Sequence, residues 1–193
     1  MKRIGRFILI VFFVALFVGP VVWFLSNGHL QEIKDVTSQK KQEDDNVDID
    51  SLGGVTYKLE NGVLTITPTN GKDGLLDATS IKGSKSTAMW FKDVNEISKI
   101  RVQEGYRVFL NPDSTGLFYG LTYVKEIDLS GFDARFCENT SRMFEGCENL
   151  TSLDLNGWDL SKLSVTTDMF LGCKNLTEFK ANDSKVTSAY NAK

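Results

Sequence analysis

The chain has 193 residues and a formal net charge of −3, enough for one domain with extensions and without a basic footprint. Binding to a phosphate backbone needs a clustered excess of Lys and Arg, so nucleic acid is not an expected partner. Three cysteines (Cys137, Cys147, Cys173) are too few for a disulfide scaffold, and the single histidine, His29, stands far from them. Ser-His-Asp, Cys-His and ordinary zinc chemistry are thereby excluded from the C-terminal part, and no catalytic residue, metal or cofactor is expected.

Residues 1–6 form a basic flank with Lys2, Arg3 and Arg6, expected to be cytoplasmic. Phe7 to Leu25 then runs without a charge, interrupted only by Gly19 and Pro20. About twenty apolar residues span a bilayer as a helix, so residues 7–26 are expected to be a transmembrane signal-anchor. A cleaved signal peptide is the alternative, although Ser26-Asn27-Gly28 is a poor small-x-small site. The positive-inside rule gives a single-pass cell-membrane protein, N-terminus cytoplasmic and C-terminal domain extracellular, or a secreted one after cleavage. Residues 27–51 are polar and crowded with Lys40, Lys41, Glu43, Asp44, Asp45, Asp48 and Asp50, which suggests a flexible stalk. Those aspartates lack the glycine and glutamate placement of an EF-hand.

Residues 52–89 are expected to form a capping hairpin and a lead-in segment. Val55 to Thr67 reads VTYKLENGVLTIT. Asn61-Gly62 is the preferred pair for a two-residue type I′ turn, which sets Leu59 opposite Leu64 and Tyr57 opposite Ile66 on one apolar face.

Residues 90–193 repeat. Arg142 to Leu155 reads RMFEGCENLTSLDL and Asp168 to Ala181 reads DMFLGCKNLTEFKA, a spacing of 26. A further step back gives GLFYGLTYVKEIDL from Gly116, and one of 27 gives WFKDVNEISKIRV from Trp90. A unit of this size cannot bury its own apolar residues, but stacked units can. Phe91, Phe118, Phe144 and Phe170 are expected to form one aromatic ladder, with Leu150, Leu176, Cys147 and Cys173 as further repeat core. Leu121 and Val94 stand where the two cysteines recur, which favours a buried filler role over a disulfide between neighbours.

The pattern MFxGCxxLTxLDLxxWD resembles the BspA-like leucine-rich repeat of bacterial surface proteins, and YKLENGVLTI resembles the hairpin that often precedes it. The likeness covers roughly residues 55–181. This chain departs from the pattern in having about four units, two without the cysteine. The resemblance implies an extracellular leucine-rich-repeat solenoid, β-rich with short helical or irregular return arms, used for recognition or adhesion; it fixes no ligand.

Outward positions of the repeat strands form two rows, Lys99, Glu126, Ser152, Glu178 and Arg101, Asp128, Asp154, Lys180. Opposite charges on neighbouring strands support their order, whereas Asp128 beside Asp154 is unfavourable. Lys99, Arg101, Glu126, Asp128, Asp154, Glu178 and Lys180 are thus the candidate binding face for a protein or glycan ligand. No polar cap is visible after the last repeat. The functional expectation is a membrane-anchored, non-catalytic recognition or adhesion protein. The alternative is a structural or assembly protein that self-associates through its open last repeat.

Overall fold

The computed structural model describes residues 47–193. Every described strand and helix belongs to one compact unit, residues 48–193. Its first element is a short 3-10 turn, Ile49–Ser51, capped by the Asp48 carboxylate, which accepts from the Asp50 amide. Residues 48–51, expected in the stalk, therefore belong to the folded unit. Asp44 and Asp45 lie outside the described residues, as does the stretch 7–26.

The strands in chain order are β1 (Val55–Glu60), β2 (Val63–Pro68), β3 (Asp73–Leu75), β4 (Ile81–Lys82), β5 (Lys85–Ser86), β6 (Lys99–Val102), β7 (Arg107–Phe109), β8 (Glu126–Ile127), β9 (Phe132–Asp133), β10 (Ser152–Asp154) and β11 (Glu178–Lys180). The helix α1 (Ser184–Asn191) comes last. The strands form four separate sheets: β1-β2-β6-β8, β3-β7-β9, β4-β5 and β10-β11.

β1 and β2 make the hairpin in the register that Asn61-Gly62 dictates, with Tyr57 opposite Ile66 and Leu59 opposite Leu64. Both turn residues have positive φ, +50° and +79°, as a type I′ turn requires. β2 then pairs in parallel with β6, and β6 with β8, which makes the first sheet mixed.

The expected leucine-rich-repeat solenoid is overturned. The described residues form a small mixed-sheet domain of several short sheets, and the strands do not join into one parallel ladder. The physical reason is local. Strands of two to four residues supply few ladder bonds, and the ladder stops between β8 and β10. The single-pass cell-membrane placement, N-terminus cytoplasmic and C-terminal domain extracellular, is also corrected. Among the described residues no helix is long and apolar enough to cross a membrane.

The core is strung along an aromatic column. Trp90 stacks on Phe118 (ring centroids 6.0 Å apart), Phe118 on Phe144 (5.3 Å) and Phe144 on Phe170 (5.6 Å). All four are buried. The first member is thus Trp90 and not Phe91, which stacks on Tyr119 at the half-exposed side of the same arm. The strands β6 and β8 match at a step of 27 (Ile100 with Ile127), but Trp90 and Phe118 are 28 apart. The extra residue is taken up in the 3-10 turn Phe91–Asp93.

Both ends of the column are covered. The Tyr57 ring meets Trp90 edge-on at 6.5 Å, which is how the hairpin caps the near end. At the far end, α1 begins at Asp183, whose carboxylate accepts from the amides of Lys185 and Val186. Val186 is fully buried, and Tyr190 stacks on Phe179 at 4.1 Å and meets Phe170 edge-on. The Tyr190 hydroxyl donates to the Leu176 carbonyl. The last repeat is therefore not open: α1 covers it, although the sequence showed no polar cap there.

Candidate binding slot

Successive repeat units are stitched together along the arm that carries the aromatic column. Backbone amides of Phe118 and Gly120 donate to Met143 and Glu145, and those of Phe144 and Gly146 donate to Met169 and Leu171. Side-chain amides extend the stitching: Asn149 Nδ2 donates to the Thr122 carbonyl, and Asn175 Nδ2 to Glu148. Further round, the amides of Ser164 and Val165 donate to Glu138. Between these seams, residues 126–133 and 152–159 share no backbone hydrogen bond. Both stretches, with Glu178 and Lys180, line an open slot of about 630 Å³.

Glycines at one repeat position register the gap. A Cβ on Gly131 would lie 2.4 Å from Val102 Cβ of the preceding unit, whereas one on Gly157 would meet nothing within 4 Å. Lys99 pairs with Glu126 (2.6 Å) and Lys180 with Asp154 (3.5 Å) on the two flanking junctions. Across the slot itself, Asp128 and Asp154 take equivalent positions, 26 apart. Like charges opposite one another weaken a ladder that has few bonds to begin with.

The structure brings five of the seven predicted face residues into the slot lining: Glu126, Asp128, Asp154, Glu178 and Lys180. Lys99 stands one strand back on Glu126, and Arg101 Nε donates to Thr65 Oγ1, so neither lines it. The Asp128 carboxyl accepts from the Ser130 amide and hydroxyl, which hold it below the ordinary carboxylate value and hence ionised near neutrality.

Sequence reasoning missed the floor. Ile127, Leu153, Phe132 and Trp158 line the slot beneath the carboxylates. Trp158 is 9% exposed, and its Nε1–H has no hydrogen-bond partner among the described residues. A buried indole N–H normally finds one. The sequence signal was present, because Phe132-Asp133 and Trp158-Asp159 recur after each strand, but nothing in the repeat shows that adjacent units separate there.

The cysteines are elsewhere, in the core. All three are free and buried. Cys147 Sγ–H donates to the Phe118 carbonyl (3.1 Å) and Cys173 Sγ–H to that of Phe144 (3.0 Å), so each thiol reaches back to the preceding unit. Burial pushes the thiols of Cys137 and Cys173 up to about 11 and that of Cys147 well above its ordinary value. Among the described residues no group of His, Cys, Asp and Glu is arranged to hold a metal ion.

One family profile, described as "Mycoplasma protein of unknown function, DUF285", matches residues 88–192. That span is more than half of the chain. The chain belongs to this family. No curated protein and no solved structure matches it. The DUF285 span begins at Ala88, just before Trp90, and ends at Ala192, the C-cap of α1. It therefore takes in the column from its first ring, the slot and the capping helix. The hairpin lies ahead of it.

Proposed function

We propose that this DUF285 protein is a non-catalytic recognition protein that takes its ligand in the slot between residues 126–133 and 152–159. The observation that carries the reading is the break itself: an apolar floor with an unpartnered indole N–H beneath a charged rim, in an otherwise stitched domain. Binding sites are typically concave and apolar with a few convergent polar groups. The likeness of the repeat motif to the BspA-like repeat supports the same class of function. Residues 47–193 contain no histidine, and their thiols are buried and protonated, so neither supplies a nucleophile or general base.

The test is to probe immobilised peptides and glycans with the full chain and with its Trp158→Phe and Asp154→Asn variants. Retention that falls in both variants supports the slot. Retention unchanged in both would overturn it. The assembly alternative has lost the open last repeat on which it rested, since α1 covers that end; concentration-dependent dimers of the intact chain would revive it.

A further inference from the structure

We infer that the outer strand of the hairpin joins two copies of this chain, β1 against β1 about a two-fold axis, with the two Leu59 residues opposite each other. The contact is separate from the slot and does not depend on it.

β1 is the outermost strand of the β1-β2-β6-β8 sheet and, among the described residues, pairs only with β2. A two-residue turn makes Glu60 and Val63 a hydrogen-bonded pair, and along an antiparallel ladder such pairs alternate. Glu60, Lys58 and Thr56 therefore direct their amides and carbonyls to β2, whereas Leu59, Tyr57 and Val55 direct theirs outward. Among the described residues, no backbone hydrogen bond outside the β1–β2 ladder reaches those three. The apolar row they carry is also unfinished. Leu64 and Ile66 of β2 are 0% exposed, while Val55, Tyr57 and Leu59 are only half-buried. An open edge of six residues is a template for another strand.

Charge selects the occupant. A lysine often keeps strand edges apart, because a second copy brings another lysine to it. In β1 that protection is cancelled. Lys58 and Glu60 share the exposed face, 2.8 Å from each other and 73% and 65% exposed. Turning a second β1 antiparallel about Leu59 sets Lys58 opposite the partner's Glu60, and Glu60 opposite the partner's Lys58. The backbone accepts the same register: Leu59 bonds outward, so it exchanges both N–H···O bonds with the partner's Leu59. Centring the pair on Tyr57 instead would set Lys58 diagonal to the partner's Lys58. Charge and hydrogen-bond alternation thus meet in one self-complementary register, which fits a second copy better than an unrelated peptide.

The experiment compares the full chain with Lys58→Glu, Glu60→Lys and the double exchange. Sedimentation is followed over a concentration series in a nonionic detergent, since residues 7–26 are apolar. The parent is expected to form dimers that weaken at high salt. Each single variant places four like charges at the seam and is expected to raise the dimer dissociation constant about ten-fold. Both positions are exposed, so circular-dichroism melts of the variants are expected to match the parent's. An equimolar mixture of the two single variants is decisive. One brings two carboxylates and the other two ammonium groups, so mixed dimers regain both opposite-charge pairs, as does the double exchange. A parent that stays monomeric overturns the inference. So do dimers that both single variants keep, which run through another surface; only such dimers would revive pairing through the last repeat. Single variants that dissociate and fail to associate on mixing overturn the antiparallel register, and the inference with it.

Discussion

Phe144 lies flat on Phe170, ring centroids 5.6 Å apart and planes 1° from parallel. The two occupy one position in units 26 residues apart, and Phe118 continues the stack from the other side. Phe144→Ala would remove the middle ring of a fully buried column. The expected loss is about 3–5 kcal/mol of unfolding free energy, measured by denaturant titration. Phe91→Ala, at the half-exposed side of its arm, is expected to cost only about 1 kcal/mol, the scale of one aromatic pair. Equal losses would show that Phe91 and not Trp90 belongs to the column.

Gly131 and Gly157 provide a matched pair that differs only in surroundings. Neither has a positive φ, so alanine is acceptable to both backbones. Gly131→Ala forces a methyl group into Val102 and should cost about 1–3 kcal/mol. Gly157→Ala enters open space at the slot and should be neutral or stabilise by about 0.4–1 kcal/mol through the unfolded chain. Thermal melts of the two variants decide it; equal shifts would mean that the turns are as close at Gly157 as at Gly131.

The hairpin was legible in the sequence because its cause is local: Asn61-Gly62 sets the turn, and the turn sets the register. The stack from Phe118 to Phe170 was legible because a period of 26 survives in the residues themselves. Trp90 was missed for the same reason inverted, since one extra residue in a diverged unit shifts the ring and adjacent Phe91 is an equally plausible occupant. The α1 cap carried a signal in Asp183, a good N-cap residue, but eight residues give little periodicity to read. The membrane expectation rested on composition in residues 7–26, outside the described part. For the site, the rim was legible as alternation along short strands. The slot was not, because Gly131 and Gly157 look alike in sequence and differ only in how far the neighbouring unit stands away.

The thiols make a pH-dependent prediction. The ordinary value of 9.0 is raised to about 11 at Cys137 and Cys173 by burial. A raised value means that the folded state holds the proton more tightly than the unfolded chain. The stabilisation is therefore complete below pH 9.0, the ordinary value, and is lost as pH rises towards 11. Stability is expected to fall over that interval and to fall less steeply in Cys173→Ala. At pH 8 the native thiols should resist iodoacetamide, followed by mass spectrometry, and react once the protein is unfolded; rapid native alkylation would contradict the burial.

Tyr190 closes the far end of the column. Tyr190→Ala removes its stack on Phe179 and its hydrogen bond to the Leu176 carbonyl, together roughly 2 kcal/mol. Ending the chain at Asn182 goes further and exposes Phe170 and Phe179. Such a truncated chain is expected to self-associate, with sedimentation showing species that the full chain does not form. A truncated monomer as stable as the parent would show that α1 is dispensable.

The slot is sewn at both ends, by Asn149 to Thr122 on one side and by Ser164 and Val165 to Glu138 on the other. It is built as a buttonhole is, with a cut whose length is set by the stitches at its ends. The rings that hold the domain together contribute nothing to that cut beyond Phe132 and Trp158. Rim residues such as Glu126, Asp154 and Glu178 are accordingly free to vary without loosening the fold, and one scaffold could be re-cut for different threads.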